Sequence, residues 1–296
     1  MNEAAYKGPI AQAVEASIMT DASAHAFSRT AISPGLWRPC LTLMRREVVR
    51  FLRQRSRIIG ALGTPLIFWV LAGSGLGKSF NPGGSMSGGY AEYTFPGALA
   101  AILLFTSIFS MISIIDDRRD GFLQGVLVSP APRAAIVLGK VLGATALAVG
   151  EGALFLTLTP LAGIPFGAGS IIITIAAMTL VAIGVTSLGF WIAWKMESTQ
   201  GFHAIMNLAL MPMLVLSGAF FPASSAAKWM RVVMVVNPMT YCVTLLREAL
   251  YWHAPARPIT HQPGGLLALT VTAVFAIVMF TGATRAATTD SARTAV

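Results

Sequence analysis

The chain has 296 residues, of which 55% are hydrophobic and only 11% charged, with a mean hydropathy of +0.70. This excludes an ordinary soluble domain, where about a quarter of residues carry charge, a disordered chain, which is poor in apolar residues, and, with two cysteines, a disulfide-built fold. A net charge of +9 leaves three readings: nucleic acid, an anionic membrane surface, or the orientation rule of membrane proteins.

Residues 1–33 lack the continuous apolar run of a signal peptide and read as a poorly ordered tail. Residues 34–57 follow as an amphipathic helix. Leu41, Met44, Val48 and Phe51 recur at steps of three and four, while Arg45, Arg46, Arg50, Arg53 and Arg57 fill much of the remaining surface. Such a helix lies in the membrane surface with its arginines on lipid phosphates, or is a basic flank with no further role. Spanning a hydrocarbon core of about 30 Å takes roughly 20 apolar residues. Six stretches qualify: 58–77, 94–115, 136–160, 170–194, 204–221 and 264–283. With the first terminus inside, alternate loops hold 16 Lys and Arg on the inner side and 5 on the outer. Both termini are therefore expected in the cytoplasm, and the positive charge is accounted for without nucleic acid.

Between the second and third spans, 116–133 (DDRRDGFLQGVLVSPAPR) puts charges first, then a mildly apolar two-turn helix stopped by Pro130 and Pro132. An exposed apolar helix on the cytoplasmic side calls for a protein partner; the alternative is a plain connector. Between the fifth and sixth spans, 224–236 and 239–252 are helical in pattern, too short to span, and broken at Asn237-Pro238. This is the pattern of a re-entrant hairpin, whose broken backbone survives at depth only against protein or a cavity.

Two motifs imitate nucleotide chemistry. Ala72–Ser79 (AGSGLGKS) approximates a phosphate-binding loop, and Ile112–Asp117 (ISIIDD) approximates the apolar run plus acid that holds Mg²⁺. Both close membrane spans, without the strand-turn-helix setting such motifs need. Glu151 is the one acid deep within a span. A charge there costs roughly 2.5–3.5 kcal/mol on insertion scales, so it is expected to face the bundle or carry a proton, either as a structural hydrogen-bonding group or on a translocation path. Lys195, Glu197 and His203 read as a solvated turn. The four histidines are scattered, no H-E-x-x-H or C-x-x-C occurs, and Cys40 and Cys242 fall on opposite sides of the membrane.

The residues Ser217-Gly218-Ala219-Phe220-Phe221-Pro222, Trp229, Asn237-Pro238-Met239-Thr240-Tyr241 and Arg247 resemble the signature of type-2 ATP-binding-cassette exporter permeases, the group of drug-resistance and nodulation-factor permeases. Gly121-Phe122-Leu123, Leu127-Val128-Ser129-Pro130 and Leu138-Gly139-Lys140 resemble that family's coupling segment. The likeness runs over 34–283. Ala227 stands where members often carry proline, and Asp116-Asp117 replace the usual glutamate that opens the coupling segment.

The resemblance implies an all-α polytopic protein: six transmembrane helices (58–283), an interfacial helix (34–57), a coupling segment (116–133), an outer hairpin (222–252) and a cytoplasmic tail (284–296), in a bacterial inner membrane. It implies that the 34–57 helix frames the mouth of the bundle and that Asp117, Arg118, Gly121, Phe122, Leu123, Ser129 and Pro130 engage a cytosolic ATPase subunit. Ser217, Gly218, Phe221, Pro222, Trp229, Asn237, Pro238 and Tyr241 belong to the outer gate. ATP and Mg would be bound by the partner ATPase and no cofactor by this chain. A second permease subunit, identical or a sister chain, would complete the transporter, with membrane lipids around it. The cargo would be an amphiphilic drug, lipid or glycan. The competing reading is an integral-membrane enzyme acting on lipid with Glu151 as acid and base.

Overall fold

The computed structural model describes residues 35–76, 89–128, 132–164, 167–252 and 263–289. Among these there is no strand, and six helical segments are long and apolar enough to cross a membrane. α1 (Trp37–Arg53) precedes α2 (Arg55–Leu76), which holds the first span, Ile58–Gly75. α3 (Gly89–Ser110) continues through a break at Met111 into α4 (Ile112–Arg119), so the second span runs to Arg119. The short α5 (Phe122–Val128) leads to α6 (Arg133–Leu156) and α7 (Ala168–Lys195), the third and fourth spans. The fifth span, Thr199–Ala219, is wound unevenly: α8 (Thr199–Ile205) and α9 (Met211–Leu214) alternate with π-helical turns at Met206–Leu210 and Val215–Ala219. α10 (Lys228–Val236) and α11 (Pro238–Leu250) meet at a 78° bend, and α12 (Gly265–Thr289) is the sixth span.

The second span forms the centre: 89% of its apolar window is buried, against 22% for the first and sixth. Ile67 and Leu71 on α2 and Val274 and Ile277 on α12 face outward, as expected where the surroundings are hydrocarbon rather than water. The hairpin is divided in role. α11 is largely buried, with Cys242, Val243 and Leu246 in the core, whereas α10 buries only Met234.

α1 lies against α6 as well as presenting a surface. Its buried face is Cys40, Leu43, Glu47 and Phe51, while Trp37, Leu41 and Leu52 stay exposed. The close approach is permitted by Gly139 and Gly143, four apart on α6. A Cβ at Gly139 would sit 2.8 Å from the Cys40 carbonyl oxygen, and one at Gly143 would sit 3.0 Å from the Glu47 Cβ. Small residues at this spacing let two membrane helices touch backbone to backbone. The helix also ends at Arg53, short of the expected Arg57, with Gln54 as a break before α2.

Candidate functional site: a charge cluster and a braced helix break

Lys140 lies between the two glycines of α6, so it is carried directly onto α1. Its ammonium donates to Glu47 Oε1 at 2.7 Å, to Asp117 Oδ2 at 2.7 Å and to the Ser113 hydroxyl at 3.1 Å. Lys140, Glu47 and Asp117 are 1%, 4% and 0% exposed. Arg46 clamps Asp117 with two bonds, 2.8 and 3.0 Å, the planar fork geometry at which arginine excels. Arg50 reaches Asp117 at 2.7 Å and Asp116 at 3.2 Å. Hydrogen bonding to Asp117 holds the Arg46 guanidinium above its ordinary pKa, against the opposing effect of burial.

The cluster therefore sets three acids (Glu47, Asp116, Asp117) against three bases (Arg46, Arg50, Lys140). A balanced, fully hydrogen-bonded cluster is the arrangement in which buried charge survives at a membrane-spanning helix end. It also reaches α5, because Arg46 lies over the Phe122 ring, 3.7 Å from the centroid. Arg118 turns the other way and donates to the carbonyls of Trp194, at 2.6 Å, and Met196, at 3.0 Å, closing the end of α7.

Several residues singled out from the sequence thus bind their own chain. Asp117 is buried in the cluster, Arg118 caps α7, Phe122 lies under Arg46, and Leu123 is 4% exposed in the core. Gly121 and Gly125 are exposed on the segment. Ser129 and Pro130 lie outside the described residues, as do Gly77, Lys78 and Ser79 of the phosphate-loop imitation and residues 1–33. Ala72–Leu76 of that imitation is the end of a helix, and the Asp117 of the Mg²⁺ imitation is occupied by basic side chains. Sequence reasoning missed the acid of α1, Glu47, and gave the α1 arginines to lipid. The available signal was a lone acid among arginines, together with a lysine inside a G-x-x-x-G on another helix.

At the opposite end, the family-like residues brace a broken helix. Gly218 has φ +78°, a left-handed conformation that a side chain would oppose, and Leu216 is also non-helical. The carbonyls freed by this break receive outside donors. Asn237 Nδ2 donates to Met213 O at 2.6 Å and Leu216 O at 3.0 Å, while its Oδ1 caps α11 by accepting from Met239 N at 2.9 Å. Tyr93 donates its hydroxyl to Gly218 O at 3.0 Å and Tyr90 to Phe220 O at 2.9 Å. Arg247 stands over the Tyr93 ring and donates to Tyr93 O at 3.3 Å.

Ser217 is buried and bonds Leu214 O, Pro238 opens α11, and Tyr241 donates to Val235 O at 2.8 Å. Pro222 is extended ahead of a 3₁₀ turn at Ala223–Ser225. Phe221 is half-buried beside α2, whereas Trp229 is exposed on α10. Deeper in the bundle, Thr106 donates to Glu151 Oε2, and Glu151 Oε1 is buried with no partner among the described residues.

Two cavities run along the first, second and fifth spans. One of about 250 Å³ is apolar, between Pro65, Phe68, Phe105, Leu214 and Phe220. The other, about 490 Å³ towards the charge cluster, carries Ser56, Asp116, Thr199 and His203 with Phe109. The Phe105 and Phe109 rings, 5.8 Å apart, stand where one gives way to the other.

Six spans, a short helix tied into them by charge, and a braced break at the far end make this a multi-pass membrane protein. The ABC-2 type transporter profile matches residues 38–251, and the chain belongs to that family. It is similar to nodulation protein J of Neorhizobium galegae, 26% identical over 216 residues that cover 71% of this chain and 80% of that protein. The ycf38 transport permease of Cyanophora paradoxa is 24% identical over 216 residues, 72% of this chain and 73% of that one. The inner membrane transport permease YhhJ of Escherichia coli K12 is 26% identical over 162 residues, 53% of this chain and 43% of that one.

Proposed function

We propose that the chain is the membrane half of an ATP-driven exporter of an amphiphilic cargo, acting as a pair of permease subunits with two ABC ATPase subunits that bind ATP and Mg. The 116–133 segment is the ATPase contact, and the end bearing the charge cluster and both termini is cytoplasmic, in a bacterial inner membrane. The observation that carries this reading is the cluster itself. A chain that moves cargo uphill by another protein's ATP cycle needs the contact helix joined stiffly to the spans. Arg46, Asp117 and Lys140 join α5 to α1, α4 and α6 through charge and close contact.

The paired cavities support the cargo class: polar groups at the cytoplasmic end and phenylalanines above suit a molecule with a polar head and an apolar body. Outward direction rests on the family likeness. Glu151, held by Thr106, serves the packing of the second and third spans.

The test is Gly125→Asp, on an exposed position with no atom within 4 Å of the added Cβ. Co-expressed with the cognate ATPase, the variant should insert normally and lose both ATPase association and transport. Normal association and transport would refute the assignment of the contact helix.

A further inference from the structure

The largest basic anomaly of the chain lies at the hairpin end, where the orientation rule disfavours Lys and Arg. α10 nevertheless carries Lys228 and Arg231 and no acid. Arg231 stands at a cavity of about 630 Å³ between the hairpin and α12, separate from the cavities along the fifth span, and the lining includes Ser224, Met234, Thr240, Tyr241 and Leu267 but no carboxylate among its described residues. The Arg231 Nε donates to Ala226 O at 3.0 Å, which fixes the guanidinium plane. Its two terminal nitrogens have no partner among the described residues. Thr240 belongs to the cavity wall, and its buried hydroxyl has no hydrogen-bond partner among the described residues.

Depth identifies the occupant. Leu267 belongs to the first turn of the sixth span, so the cavity lies at the boundary between hydrocarbon and water at that end. Trp229 and Val232 on α10 and Leu266 on α12 add exposed apolar surface at the same end. Tryptophan at this level is an interfacial anchor. An anion that reaches this position with an apolar body attached is a membrane phospholipid. The volume falls within the usual range for small-ligand sites.

We infer that this cavity binds the phosphate head of an anionic phospholipid. The free face of the Arg231 guanidinium takes the phosphodiester, the hydroxyl of exposed Ser224 is at hand for a glycerol or phosphate oxygen, and the acyl chains lie on α10 and α12. The site is distinct from the cargo path and would secure the hairpin to its leaflet. The inference requires only that the chain spans a membrane, not that it exports.

The experiment uses the full chain, purified in an uncharged detergent without ATPase or cargo. It is titrated with dioctanoyl phosphatidylglycerol, with dioctanoyl phosphatidylcholine and with inorganic phosphate, followed by tryptophan fluorescence and the thermal unfolding midpoint. Phosphatidylglycerol should bind saturably and stabilise the chain, phosphatidylcholine severalfold more weakly, and millimolar inorganic phosphate should neither stabilise the chain nor displace the lipid. Arg231→Gln, an exposed substitution, should weaken phosphatidylglycerol about tenfold, the loss of a charge-assisted hydrogen bond. Arg231→Lys should retain most binding, and Lys228→Gln, outside the cavity, should change it about twofold or less. The inference is overturned if Arg231→Gln binds as the parent does or if the two lipids bind alike. Displacement by inorganic phosphate would overturn it too, by making the site one for free anions. Because no ATPase or transport enters the measurement, these failures are separate from failure of the proposed function.

Discussion

Replacing Lys140 with methionine keeps much of the volume and removes one charge from the cluster. Three hydrogen bonds go with it, two of them to carboxylates at 2.7 Å. The two acids then diverge. Asp117 keeps Arg46 and Arg50, but Glu47, 4% exposed, is left among the described residues with Arg46 alone, at 3.5 Å. Stripping one partner from a buried pair costs about 3–5 kcal/mol, a large part of the total stability of an ordinary domain. Thermal unfolding of the purified chain should show Lys140→Met strongly destabilised. Glu47→Gln in the same background should restore part of the loss, since the orphaned charge is gone. A double-mutant cycle should then give a coupling of about 2 kcal/mol, within the range for residues in direct contact. If the two changes add within about 0.5 kcal/mol, the cluster is not the energetic joint between α1 and α6.

Gly139→Leu forces a side chain into the backbone of α1 at Cys40 and should destabilise by about 1–3 kcal/mol as overpacking, measured by thermal unfolding; Gly125→Leu, in open space, should not. Asn237→Ala removes the cap of α11 and two donors to the broken fifth span, and should cost about 1–3 kcal/mol with faster amide exchange at Met213–Gly218. Cysteines introduced at Gly125 and Trp229 should be labelled by an impermeant maleimide from opposite faces of the membrane, while native Cys40 and Cys242, both buried, stay unlabelled; same-side labelling would refute the topology. Glu151→Gln keeps an acceptor for Thr106 and should leave transport within about twofold; loss of transport would place Glu151 on the path.

The spans were legible because hydrocarbon imposes a length on them: 58–77 was expected for the first, and Ile58–Gly75 is found. The second was cut short at Ile115 because counting stops at the first charges, whereas the helix continues to Arg119, with Asp116 and Asp117 met by arginines of α1 and Arg118 by the carbonyls at the end of α7. Of the stripe that hydropathy picks out on α1, Leu41, Met44, Val48 and Phe51, Phe51 is buried, but the rest of the buried face falls one residue earlier, at Cys40, Leu43 and Glu47, made suitable for burial by Lys140. No property of Glu47 alone discloses its cation, because the pairing is tertiary. The hairpin-end residues were visible as a resemblance, but their work was not. That Asn237, Tyr93 and Arg247 serve a break around Gly218 depends on φ/ψ values no hydropathy pattern encodes.

The pairing of Glu47 with Lys140 also sets an order of assembly. The acid is made 93 residues before its cation, and two apolar spans separate α1 from the third, which completes its contact surface. While the chain is being inserted, α1 holds its arginines and its lone acid in water at the bilayer surface, where an amphipathic basic helix is comfortable. It docks only once the third span brings Gly139, Lys140 and Gly143 into register. On this order the lipid-surface helix read from the sequence is expected as a stage of assembly, and a chain truncated before residue 140 should leave α1 open to protease at the membrane surface.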